Sequence, residues 1–92
     1  MDNIIINVDN MFNRVRSEVM HSLALSRPGD KITIFLSAKL YHLFKGACLE
    51  DLQYHLNERN GMMDVTLFGC GVEVFDDRNL SFYVATARKI EF

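Results

Sequence analysis

One proline, two cysteines and no tryptophan occur in these 92 residues. With Pro28 alone, the chain is not a Pro-rich disordered segment. Cys48 and Cys70 stand far apart and form no Cys-x-x-Cys pair, which argues against a zinc knuckle or a thioredoxin-type pair. No apolar run approaches the ~20 residues of a membrane span, so no membrane association is expected. The Ile4-Ile5-Ile6 run is much shorter than a signal-peptide core and has no cationic lead. A cytoplasmic setting with both thiols reduced is therefore expected. An excess of basic charge is also missing. Ten Lys and Arg against twelve Asp and Glu give a net charge of −2. Such a chain has no cationic surplus to release counterions from a duplex, so nucleic-acid binding is disfavoured.

What is present suits a small folded domain. Hydrophobic residues make up 49% and charged residues 24%, the balance of a globular protein. The length allows one domain, residues 1–92, burying about two-thirds of its unfolded surface and leaving little material for a separate substrate cleft.

The clearest pattern runs from Asn7 to Ser26. Val8, Met11, Phe12, Val15, Val19, Ser22 and Leu23 recur at helical spacing, with Asp9 or Asn10 as the expected cap. Pro28 pushes Arg27 out of helical geometry, and Pro28-Gly29-Asp30 predicts a tight turn. Lys31 to Leu36 is β-branched and predicts a buried strand. Ser37 is suited to cap a short helix with Leu40, Leu43 and Phe44 inward, ending at Gly46. A second short helix is expected over Leu49 to Arg59, with Leu49, Leu52 and Leu56 inward and Glu50-Asp51 in its first turn. The period then becomes two. Strands are expected over Met62–Phe68, Val72–Phe75 and Leu80–Ala87, separated by Gly69-Cys70-Gly71 and by the polar Asp76–Asn79 turn. Short connections predict an antiparallel three-stranded meander. The expected class is α+β: a long N-terminal helix, a strand, two short helices and the meander, with the helices on one sheet face. Ile4–Asn7 is open to an edge-strand role. Tyr41-His42-Leu43 recurs as Tyr54-His55-Leu56 without matching flanks, and predicts no structural repeat.

The reactive side chains form no catalytic pattern. His21, His42 and His55 fall on expected solvent faces, and no two have the spacing of ligands on one helix turn. Asp76-Asp77 lacks the alternating carboxylates of a calcium loop. No cofactor, metal or catalytic residue is therefore expected. Cys70, between two glycines, is the one thiol placed to react, and a thiol-dependent enzyme or redox protein is the alternative reading. A second alternative is a nucleic-acid module using Arg14, Arg16, Arg88 and Lys89.

Apolar side chains are more informative. Met20 lies off the stripe of the first helix. Met62 and Met63 are neighbours in a strand and point to opposite faces, as do Phe82 and Tyr83. Large apolar groups left outside a core are typical of interfaces. The expected contact residues are Met20, Met63, Phe75, Tyr83 and Phe92, with a protein partner and possible homo-oligomer formation.

Ile34–Leu43, with its strand leading into a Tyr- and Leu-bearing helix, and Leu67-Phe68-Gly69-Cys70-Gly71-Val72-Glu73-Val74-Phe75-Asp76-Asp77 carry a family resemblance. The span Lys31–Tyr83 resembles a core segment of tailed-phage major capsid proteins of the HK97-like fold. The spine helix and extended arm of that family have no counterpart here, and Gly71 stands where the family has proline. The resemblance implies a small phage or mobile-element protein that works by assembly: its own copies, a virion component, or inhibition of a host or defence complex.

Overall fold

A computed structural model describes residues 3–47 and 51–88. The elements are α1 (Asn3–Leu25), β1 (Lys31–Ser37), α2 (Ala38–Gly46), β2 (Leu52–Asn57), β3 (Met62–Leu67), β4 (Cys70–Phe75) and β5 (Phe82–Ala87). The class is α+β, with five strands in one mixed sheet and two helices. No helix among the described residues is long and apolar enough to cross a membrane.

In α1 the stripe does what its spacing predicts as far as Val19, whereas Leu23 at its end is 44% exposed. Met11, Val15 and Val19 are buried, and Val8 and Phe12 pack against the same core. The helix starts earlier than expected. Asp9 and Asn10 lie inside it, and Ile4–Asn7 belongs to it rather than to an edge strand. The penalty for β-branched residues in a helix is only about 0.5 kcal/mol each, which tertiary context and helix propagation override. At the other end the Asp30 amide donates to the Arg27 carbonyl (3.0 Å), with Gly29 at φ 92°, the geometry of a type II turn built on Pro28-Gly29.

The sheet order is β2-β3-β4-β1-β5. β1 is thus internal: it pairs in parallel with β4 and antiparallel with β5. Ile32, Ile34 and Leu36 alternate onto the helix-covered face and are buried. Phe44 and Leu40 of α2 and Val15 and Val19 of α1 complete the core above them. The expected meander is corrected here. Strands β2, β3 and β4 form one, but β5 does not pair with β4, because β1 lies between them. The chain from Phe75 to Phe82 therefore steps across the end of β1 instead of closing a tight hairpin.

The helix expected over Leu49–Arg59 is also corrected. Residues 52–57 are a strand, paired with β3 from Leu52↔Leu67 to Asn57↔Met62. Leu52 and Leu56 suit helical spacing, but Leu52, Tyr54 and Leu56 also alternate with Gln53, His55 and Asn57. Over six residues either period is available, and pairing with β3 decides it. Asp51 accordingly lies in a turn and not at a helix start; Cys48, Leu49 and Glu50 lie outside the described residues. The loop after β2 is held by its asparagines. Asn57 Oδ1 accepts from the Arg59 amide and Asn60 Oδ1 from the Met62 amide, at 3.0 and 2.9 Å. Gly61 sits at φ 70°, as expected for a residue chosen for positive φ.

The β3–β4 turn starts one residue earlier than expected and is two residues long, so Cys70 and Gly71 belong to β4. The turn consists of Phe68 and Gly69, at φ 55° and 79°, the two positive φ values a type I′ hairpin requires. Phenylalanine in this region carries backbone strain of roughly 1–2 kcal/mol. Its ring contact explains its presence: it lies 5.1 Å from Phe12, which meets Phe44 edge-on at 5.6 Å. Burial and aromatic contact together exceed the strain.

Ser37 joins these parts. It is fully buried. Its Oγ accepts from the Leu40 amide, capping α2, and from the Ser81 amide, both at 3.2 Å. Its own amide donates to the Ser81 carbonyl at 2.9 Å. One hydroxyl thus ends β1, starts α2 and pins the crossing segment. Ser37→Ala should lower unfolding free energy by about 2–3 kcal/mol, the sum of a lost cap and an unsatisfied buried amide. Urea denaturation followed by circular dichroism measures this; a loss under about 0.5 kcal/mol would mean that both donors find other acceptors.

Candidate functional site

Alternation along a strand leaves the second sheet face with Lys31, Thr33 and Phe35 of β1, Gly71, Glu73 and Phe75 of β4, and Tyr83 and Ala85 of β5. No described helix covers these positions; the helices pack against the other face. On this open side three rings meet. Phe35 and Tyr83 are register partners and stack at 4.6 Å with 11° between planes. Phe75 lies 5.7 Å from Tyr83. Phe35 and Phe75 are half-buried, whereas Tyr83 is 52% exposed. The rim is mixed in charge, with Lys31 and Glu73 on neighbouring strands.

The expected contact residues do not form one surface. Phe75 and Tyr83 come together in this cluster. Met63 is exposed on the opposite sheet face, paired across β2–β3 with Leu56. Met20 is exposed on α1. Phe92 lies outside the described residues. Phe35 is the further residue of the cluster, outside the expected contact set because its strand reads as buried. The signal was there in Lys31-Thr33-Phe35, the alternate set to Ile32-Ile34-Leu36.

The histidines are all exposed, and His55 Nε2 lies 3.2 Å from Thr66 Oγ1. Among the described residues no three His, Cys, Asp or Glu side chains stand close enough together to hold a metal ion. Asp77 spends its carboxylate on its own loop. Oδ1 accepts from the Asn79 amide (3.0 Å) and Oδ2 from the Ser81 hydroxyl (2.9 Å). The Asn79 amide bond, then the Ser81 hydroxyl, holds its pKa below the usual carboxylate range. Arg14 and Arg16 sit on α1, Arg14 with its guanidinium 5.9 Å from the Phe82 ring centre, on the helix-covered side. Arg88 is exposed after β5, and Lys89 is outside the described residues.

Cys70 is not on an open turn. It begins β4, is 7% exposed and belongs to the core. Burial pushes its thiol pKa up, which lowers the thiolate fraction. In a Cys48→Ser variant the remaining thiol should react with iodoacetamide more slowly than free cysteine at neutral pH, and at the free rate in urea. A native rate at or above that of free cysteine would bring the thiol reading back.

Tyr41 of α2 and Tyr54 of β2 share a hydrogen bond, which ties the outer hairpin to the helix layer. Burial, then this bond, pushes the Tyr41 pKa up to about 12. A raised pKa means that the folded state holds the proton more tightly than the unfolded chain. The associated stability is complete below the ordinary phenol value near 10 and is lost as pH rises through about 12. Tyr41→Phe should therefore flatten the fall in urea midpoint between pH 9 and pH 11.5. An unchanged slope in the variant would show that the phenol pair contributes nothing.

Set against models of known protein families, against curated proteins and against solved structures, the chain matches none.

Proposed function

We propose that this chain is a non-enzymatic protein that works by binding another protein through the open face of its sheet. The observation that carries the reading is the Phe35–Tyr83–Phe75 cluster, a contiguous aromatic patch on a face that no described helix covers, with its most exposed ring at the centre. Half-exposed aromatic groups inside a polar rim are what binding hot spots are made of. Phe35 and Phe75 are seated in the sheet and hold Tyr83 in place, so little side-chain entropy is lost when a partner covers it. The chemistry of the rim favours protein over nucleic acid. Stacked rings also serve single-strand binders, but those add a groove of cations that tracks the phosphates. Here Lys31 is offset by Glu73, and the chain is net negative. A virion or mobile-element setting, implied by the resemblance of Lys31–Tyr83 to capsid cores, belongs to the same proposal.

A photo-crosslinking residue placed at Glu73, beside the rings, should capture the partner in the native host. Tyr83→Ala should abolish that capture while the circular dichroism spectrum is retained. Loss of the stack with Phe35 should lower stability by only about 1 kcal/mol. Met20→Ala, on α1, should leave capture unchanged. Capture that survives Tyr83→Ala would place the contact elsewhere.

A further inference from the structure

We infer that β2 is a pairing edge for a second copy of this chain, the two β2 strands running antiparallel about a two-fold axis through His55. The sheet has two outer strands, β2 and β5, and they differ in how they are protected. Edge strands are normally guarded by charge, proline, bulges or a covering element. Leu52-Gln53-Tyr54-His55-Leu56-Asn57 has no proline, no glycine, no acid and no Lys or Arg. It is regularly paired with β3 along its whole length and contains no bulge. β5 is equally free of charge within its own span, but α1 lies along it. Arg14 and Glu18 line a depression of about 420 Å³ with Ser81, Phe82, Tyr83 and Val84. A strand added there would have to desolvate both charges; within its own span β2 presents none, and its charges stand only at its ends.

The ends of β2 select a second copy rather than an unrelated strand. Asp51 precedes β2, and Glu58 and Arg59 follow it. In an antiparallel pair about His55, each Asp51 comes beside Arg59 of the second copy, so the complementary contact forms twice. The same register sets Tyr54 opposite Leu56 of the second copy and Gln53 opposite Asn57, whose side-chain amide already donates to the Asp64 carboxylate and accepts from the Arg59 amide. Tyr54 and Leu56 are 42% and 62% exposed, and residues directly opposite share a sheet face, so the apolar pair forms on one side and the polar residues lie on the other. Because the two-fold consumes both β2 edges and α1 guards β5, association stops at two chains and does not propagate into a fibre. This contact is separate from the aromatic patch of β1, β4 and β5.

Light scattering and sedimentation of the full chain, from low micromolar to millimolar concentration, test the inference. The expected result is a monomer–dimer equilibrium that ends at twice the chain mass. Leu56→Lys should weaken it about tenfold or more, with circular dichroism and urea midpoint retained. Asp51→Lys should weaken it roughly three- to tenfold, and adding Arg59→Asp should restore it, a rescue specific to antiparallel self-pairing. The amides of β2 that point away from β3 should exchange faster on dilution. A monomer at every concentration, mass growing beyond two chains, or a dimer indifferent to Leu56→Lys would overturn it. A dimer lost through Tyr83→Ala would also overturn it, by moving the contact to the open face. The partner-capture experiment stands or falls independently of these outcomes.

Discussion

Everything in this molecule depends on enclosing β1. The strand is hydrogen-bonded along both edges and covered on one face by both helices. Its partners lie far along the chain: Thr33 meets Gly71 on one side and Ala85 on the other. Closing such loops is unfavourable in entropy, and the return is the complete burial of Ile34 and Leu36 together with Leu40 and Phe44. Ser37 makes this closure specific. A fully buried hydroxyl is tolerated only with partners, and here it receives two amides, one local and one from a residue 44 positions away. Strand end, helix start and crossing segment are thereby set in one geometry.

Two helices cannot cover both faces of five strands. Placing α1 and α2 on the Ile32-Ile34-Leu36 side leaves Phe35, Tyr83 and Phe75 on the other. Their stacking buries part of each ring within the sheet, so the face is neither a second core nor a wholly polar surface. It is an apolar patch of three contacting rings. The same shortage of helix explains the outer hairpin, where Tyr54 has the Tyr41 hydroxyl to bond but Leu56 and Met63 are exposed.

The chemistry of the chain follows from where its polar groups are already engaged. Asp77 is satisfied by Asn79 and Ser81, Asn57 and Asn60 by the loop they build, and Cys70 is folded into the core. The left-handed Phe68 shows the same priority from the backbone side: strain is accepted to seat a ring against Phe12. Side chains here serve architecture first, and apolar surface is left over on the sheet.

Local information sufficed where one element could be decided within its own span. The stripe of α1, the Pro28-Gly29 turn, the β-branched run of β1 and the Ser37 cap are legible because each rests on spacing or on a short-range hydrogen bond. Two of the three rings of the candidate patch, Phe75 and Tyr83, were legible too, as apolar residues with no place in the helix stripes. Phe35 was not, because the run Ile32–Leu36 does not say which of its two faces the helices will take. The Tyr-His-Leu tripeptide makes the boundary plain. At Tyr41–Leu43 it is helix, set by the cap at Ser37; at Tyr54–Leu56 it is strand, set by Val65 and Met63 across the hairpin. Composition, the first three elements and the lack of any catalytic spacing were determined by the sequence alone. The strand at β2, the insertion of β1 between β4 and β5, and the gathering of three rings on one face were decided only by tertiary pairing, because each depends on contacts between residues that no local period relates.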